Sequence, residues 1–274
     1  MDNIRLAKKQ DIPALCEIWK HCFQDSEEYI RFFYERNFER IQVLAYYADN
    51  KPVSMIHLIN ASFESGEKCQ NAKLIYAVGT LPKWRNNGCM GALLSALTKS
   101  SKEEGFALFL KPSSPSLFEY YAKFGFVKAS SFRLVKFAAG KMQNISCREL
   151  SAEEYNKMRE NAFCSIPHVK WDNAHILWCI EENELFSGRT LRINYDNRDY
   201  FIMAYPENET LVINETDLSL KQLKAIGGFL CSVFKTEKLE AYLCPQTCRE
   251  GEKTVSNLVY NSEIENPYIN LIMI

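Results

Sequence analysis

Val78-Gly79-Thr80-Leu81-Pro82-Lys83-Trp84-Arg85-Asn86-Asn87-Gly88-Cys89-Met90-Gly91-Ala92 is the stretch on which the fold turns. It reads as the end of an apolar strand, a short basic loop, and the first turn of an amphipathic helix. The first backbone N–H groups of a helix have no partner inside it, and the helix dipole places partial positive charge there. A strand that delivers the chain to such a terminus builds an anion site, and Lys83 and Arg85 add local positive charge. The ligand suited to that site is a phosphate or a pyrophosphate.

Downstream, Leu93, Leu94, Leu97 and Thr98 continue the helix to about Glu104, and Gly105 stops it. Phe106 to Leu110 is a short apolar run with the length of a buried strand. The order strand, loop, helix, strand predicts that this run lies parallel to the strand ending at Val78. Pro112 and Pro115 break the chain, Ser116 to Lys123 reads as a short helix with Gly125 as its cap, and a further strand begins at Phe126. Upstream, Ile4 to Ala7 is a short strand, and Asp11 opens a helix bearing Ile12, Leu15, Cys16, Ile18 and Trp19. Asp25 with Glu28 resembles a capping box for a second helix. Ile41 to Ala48, Val53 to Phe63 and Cys69 to Val78 form a meander joined at Asp49-Asn50-Lys51-Pro52 and at Glu64 to Lys68. The expected class is α/β (α+β), a mixed and mostly antiparallel sheet flanked by helices.

The apolar pattern lapses near residues 140–144, and the second half then repeats the order of the first. Ser151 to Glu154 is a capping box opening a helix to Phe163, and a further helix surrounds His175 to Asn183. Strands are expected over 190–195, 200–206, 210–214 and 239–243, with a helix over 220–234. The loop before that last helix is acidic where the first half carries Lys83 and Arg85, so a second copy has lost the anion site. The expected domains are therefore residues 1–140, with the ligand site, and 145–274, a degenerate copy.

Composition narrows the partners. With 33 basic and 34 acidic residues there is no global field to attract nucleic acid or an anionic membrane surface. No apolar run has the length of a membrane span, and the first residues lack a secretory core, so a cytoplasmic location is expected. The ten cysteines read as reduced, mostly buried thiols. Cys244 and Cys248 form a lone pair without a second pair nearby, and the four histidines do not cluster, so no metal site is expected.

The first half resembles the Gcn5-related N-acetyltransferase (GNAT) family. Arg85-Asn86-Asn87-Gly88-Cys89-Met90 fills the family's Arg/Gln-x-x-Gly-x-Gly/Ala signature, and Tyr121-Ala-Lys-Phe-Gly125-Phe126 fills a second motif, Tyr-x-x-x-Gly-Phe, in the required order. The close match covers roughly Lys73 to Val127. Two positions depart from the pattern: Met90 stands at the sixth motif position, with Gly91 one step later, and Ser114 stands where many members place an asparagine. Met90 and the tandem layout are similar to the branch of enhanced-intracellular-survival acetyltransferases, here without that branch's sterol-carrier-like domain.

The resemblance implies an acetyl-CoA-dependent N-acetyltransferase with acetyl-CoA as cosubstrate and no metal. The acceptor would be a primary amine of a small molecule or peptide, attacking the thioester directly in a ternary complex. Val78, Thr80, Arg85, Asn86, Asn87, Gly88, Cys89, Met90, Gly91 and Ser114 would bind the cosubstrate, with backbone near Val78 and Thr80 pairing to the pantetheine arm like an added strand and Gly79 suiting a bulge. Tyr121 would be the acid for the leaving thiolate. Two bases are open, His57 and the carboxylate of Ile274, although a satisfied strand histidine and a docked tail fit those residues as well. A non-catalytic acyl-CoA-binding regulator and a tandem aminoacyl or acyl transferase are the competing readings.

Overall fold

A computed structural model of the chain describes residues 3–140, 145–255 and 257–271. The chain divides into two compact units, one made of residues 1–62, 70–127 and 258–263 and the other of 63–69, 128–257 and 264–274.

The first unit opens with β1 (Ile4–Leu6), α1 (Ile12–Cys22) and α2 (Glu27–Asn37). Helix α1 buries Leu15, Ile18 and Trp19 along one face, as its apolar spacing requires. The cap of α2 is Ser26, whose hydroxyl accepts the Tyr29 N–H, and not Asp25. Asp25 is instead drawn to the indole N–H of Trp19 at 2.7 Å, a buried donor that must find an acceptor. The meander follows as β2 (Gln42–Ala48), β3 (Lys51–Ser65) and β4 (Lys68–Thr80), whose far tips belong to the second unit. Asp49 and Asn50 both take positive φ, the geometry that a two-residue hairpin turn demands. Helix α3 (Cys89–Glu104) ends on Gly105 at φ +75°. Then come β5 (Ala107–Leu110), α4 (Pro115–Ala122) and β6 (Val127–Lys128).

β5 is parallel to β4, as the strand–helix–strand order requires, with Ala72 opposite Ala107 and Leu74 opposite Phe109. The register ends there, although β4 runs six residues further to Thr80. The other edge of β5 pairs antiparallel with a strand from late in the chain, Leu258–Tyr260, through Leu258 and Leu110.

The second unit contains β7 (Ser131–Ala138), β8 (Ser146–Glu149), α5 (Ala152–Phe163), β9 (His168–Lys170), α6 (Asn173–Leu185), β10 (Arg189–Tyr195), β11 (Arg198–Glu207), β12 (Thr210–Thr216), α7 (Leu220–Phe234), β13 (Lys238–Leu243) and β14 (Glu252–Val255). Its sheet runs β14-β7-β13-β12-β11-β10-β8. β12 and β13 are its parallel pair, linked through α7. In the first sheet the order is β1-β2-β3-β4-β5, then the strand 258–260, then β6. The two sheets thus share one plan: a first strand, a three-stranded meander, a parallel strand, and an antiparallel neighbour to that strand. In the first sheet that neighbour comes from residues 258–260, and in the second from β7. This assignment of strands is absent from the sequence reading, since a three-residue apolar run carries no mark of its partner.

Candidate functional site

The loop after β4 makes a short 3-10 turn, Pro82–Trp84, and then enters α3 through two left-handed residues, Asn86 at φ +63° and Gly88 at φ +78°. Gly88 occupies the cap position of α3, where no side chain bonds to the first amides. Its own carbonyl already accepts the Ala92 N–H at 2.9 Å. A Cβ at Gly88 would have no heavy atom within 4 Å. Gly88 therefore brings no side chain of its own to the first donors of α3. α7 in the second unit is built differently. There Ser219 and Gln222 form a capping box that closes the first turn, and the carboxylate of Asp217 stands just before it. Burial raises the Asp217 carboxyl to about 7, while the Phe201 N–H pulls the other way.

Among the loop residues, Met90 turns its side chain onto the apolar cluster that contains Ile56, Ile75, Leu93 and Tyr121. Its bulk is taken up by the core. Cys89 is buried, and burial pushes its thiol pKa up, so the helix terminus does not make it a reactive thiolate. Gly91 is half-buried, with Phe124 as the neighbour a Cβ would touch, at 3.8 Å. Asn87 is exposed. Arg85 folds back: its Nε donates to the Thr80 carbonyl at 3.2 Å. Ser114 stands at the cap position of α4 without a side-chain bond to a helix amide, and its hydroxyl meets that of Ser116 at 3.1 Å.

At the end of β4, Val78 packs partly buried against the apolar cluster. The Thr80 carbonyl is engaged, taking the Cys22 thiol at 3.3 Å as well as Arg85, and the Thr80 hydroxyl meets Ser54 at 2.8 Å. The irregular residue in this strand is Ala77, at φ +43°, not Gly79. Gly79 serves close approach instead, because a Cβ there would meet Cys22 Sγ at 3.0 Å and Ile18 Cγ2 at 3.2 Å. An alanine in a left-handed conformation leaves no mark in the sequence. Ser54, fully buried between Val53 and Met55 and bonded to the Gly79 carbonyl at 3.1 Å, is a signal that the sequence reading passed over.

Tyr121 lies near the end of α4, 5% exposed, with its ring edge-on to Tyr120 and Phe126. It shares an apolar cluster with Ile75 and Leu110, the residues that follow the last register pair of β4 and β5. Burial, and secondarily Tyr120, raises its pKa well above the ordinary phenol value, so its hydroxyl keeps its proton at neutral pH. His57 is fully buried on β3. Its Nε2 lies 2.9 Å from the Tyr34 hydroxyl and its Nδ1 3.2 Å from the Ala77 carbonyl. Burial lowers its pKa to about 4, so the ring is neutral. Ile274, the other candidate base, lies outside the described residues.

Residues 3–129 match the model of the acetyltransferase (GNAT) domain. The fold is that of the GNAT acetyltransferases. No curated protein matches the sequence. Among solved structures, a GCN5-related N-acetyltransferase from Anabaena variabilis superimposes with a TM-score of 0.71 at 14% identity, over 93% of this chain and 72% of that one. Eis1 from Mycobacterium abscessus gives 0.64 at 11% identity, over 94% and 72%. The N-myristoyltransferase of Saccharomyces cerevisiae, with bound myristoyl-CoA, gives 0.59 at 8% identity, over 97% and 84%. These identities carry the fold and nothing finer. The loop 85–91 leads from the turn after β4 into α3. No helix among the described residues is long and apolar enough to cross a membrane.

Proposed function

We propose that this protein is an acetyl-CoA-dependent N-acetyltransferase acting on a primary amine of a small molecule or peptide. The observation that carries the reading is the pairing of two features in one unit. The register of β4 with β5 ends at Leu74 and Phe109 while β4 itself runs on to Thr80, and the helix that follows the loop begins on a glycine, which has no side chain to cap it. An opening between parallel strands suits an extended arm, and uncovered amides suit the diphosphate at its end.

Acetyl-CoA supplies an acyl group activated as a thioester. The chain's own part is to hold it and to orient the amine. The amides from Gly88 through Gly91 take the diphosphate, with Lys83 as the exposed cation beside them. In the transfer, the C–N bond forms as the C–S bond breaks, the nitrogen gives up a proton to water, and the sulfur gains one from a donor that water then reprotonates. Tyr121, held protonated by its burial, is the donor to that sulfur. In the second unit the first turn of α7 is closed by its capping box, with Asp217 before it, and that unit reads as a degenerate copy of the same domain.

One observation favours the non-catalytic alternative: both nitrogens of His57 are already hydrogen-bonded within the fold. Calorimetry with acetyl-CoA, combined with a thiol-release assay across amino acids, polyamines, aminoglycosides and peptide N-termini, separates the readings. Binding with thiol release for at least one amine is the expected result. Binding without release by any amine assigns a regulator, and no binding overturns both.

A further inference from the structure

The left-handed residue in β4 is an alanine, and a Cβ disfavours that conformation by about tenfold or more in population. Something must hold it. The group in place to do so is the imidazole of His57, whose Nδ1 lies 3.2 Å from the Ala77 carbonyl, with the Tyr76 carbonyl acting on the same ring. A carbonyl only accepts, so Nδ1 carries the proton. In a neutral ring Nε2 is then the acceptor, and the Tyr34 hydroxyl donates to it at 2.9 Å. The ring cannot swing away, since Trp19 at 5.3 Å and Phe33 at 5.5 Å flank it edge-on and Tyr34 closes a third side at 5.7 Å between centroids. Every hydrogen-bonding position on the ring is in use.

We infer that His57 is a positioning residue: aimed by Tyr34, its Nδ1–H clamps Ala77 in the left-handed turn and so sets the direction in which β4 leaves β5. The turn falls three residues after the last register pair, Leu74 with Phe109, and one residue before Val78. The clamp therefore acts where the opening for an acyl-CoA arm begins, and its importance for activity rests on that reading of the opening.

The tautomer is read directly from nitrogen NMR of the wild-type protein labelled at histidine, with His57 assigned by its loss in His57→Asn. The expected result is a ring protonated at Nδ1 and bare at Nε2 from about pH 8 to about pH 5.5; a ring protonated at Nε2 overturns the inference. A second measurement is amide exchange of the segment 75–80 without cosubstrate. His57→Gln, which offers no donor at the Nδ1 position, is expected to speed exchange there by ~10-fold, and His57→Asn, whose amide can replace Nδ1–H, by less than ~3-fold. Glycine adopts the left-handed turn without a clamp, so in an Ala77→Gly background the effect of His57→Gln on exchange and on kcat/KM for acetyl-CoA shrinks to within ~3-fold. Equal damage by His57→Gln in both backgrounds overturns the clamp and leaves only packing. If the wild type fails to bind acetyl-CoA, the acetyltransferase reading falls, while tautomer and exchange still decide the clamp.

Discussion

Arg85 and Thr80 face each other across the loop that follows β4: the guanidinium Nε donates to the Thr80 carbonyl at 3.2 Å. A second guanidinium nitrogen reaches the His21 carbonyl at 3.4 Å, in the last turn of α1. The carbonyls at a helix C-terminus lack intrahelical partners and carry partial negative charge, so a cation there is well placed. The charge of Arg85 is thus committed to tying the loop to α1. The cation left standing at the loop surface is Lys83, which is exposed.

These two residues should therefore separate under mutation. Arg85→Gln keeps a donor for the Thr80 carbonyl, and we expect acetyl-CoA affinity to fall less than ~3-fold with its salt dependence intact. Lys83→Gln removes a screened surface charge, and we expect a ~2–5-fold loss at low salt that vanishes at high salt. Calorimetry at two ionic strengths checks both. A flattened salt dependence in Arg85→Gln would place its guanidinium on the ligand instead.

The glycines at 79 and 88 predict opposite phenotypes. Gly88 at φ +78° has open space around it, so Gly88→Ala adds strain without a clash. It should weaken acetyl-CoA binding by about 5–10-fold, with Gly88→Asn milder because asparagine tolerates the left-handed region. Gly79→Ala forces a Cβ to 3.0 Å from Cys22 Sγ and 3.2 Å from Ile18. Overpacking of that kind costs about 1–3 kcal/mol, so its signature is a lower unfolding midpoint in urea, not a selective loss of affinity. A selective affinity loss in Gly79→Ala with unchanged stability would contradict this assignment.

The parts of this fold that were legible in the sequence are those written by local pattern. Ser151 with Glu154 appears as a capping box, Gly105 stops α3 in the left-handed conformation, and Gly88 admits the chain to the same helix. The parallel pairing of β4 with β5 followed from connection order alone. What stayed hidden is non-local. Nothing in Leu258-Val259-Tyr260 says that it borders β5, nor in Ser131 to Ala138 that it borders β13. The entry of the chain into α3 at Gly88 could be placed because a glycine before an amphipathic run marks it locally. The Cys22 thiol at the Thr80 carbonyl and the His57 ring at the Ala77 carbonyl could not, since both side chains lie on other elements.

Asp217 gives the second unit a distinct dependence on pH. Its carboxyl, raised chiefly by burial, holds its proton in the folded state to about 7, whereas the unfolded chain releases it near the ordinary value of 3.8. Between those two values the folded state binds the extra proton, so this group's contribution to stability falls as pH rises and is constant above that window. Asp217→Asn lacks the titration and keeps an oxygen to accept the Phe201 N–H. The stability difference between variant and wild type should grow in the variant's favour by about 4 kcal/mol from pH 4 to pH 8. Urea unfolding of both proteins at matched pH measures it, and a difference that is flat with pH would mean the carboxyl ionises normally.

Tyr121 offers the test closest to the chemistry. Its ring belongs to the apolar cluster around Leu93 and Leu108, so Tyr121→Phe preserves the packing and removes only the hydroxyl. If that hydroxyl donates to the leaving sulfur, kcat should fall by ~100-fold while KM for acetyl-CoA moves by less than ~2-fold. Because burial and Tyr120 raise its pKa, the wild-type rate should show no alkaline fall from this group up to about pH 10, the ordinary phenol value. Steady-state kinetics over pH, with the midpoint of thermal unfolding as a control, decide the matter. Parallel losses in kcat, affinity and stability would make Tyr121 a core residue whose proton plays no part.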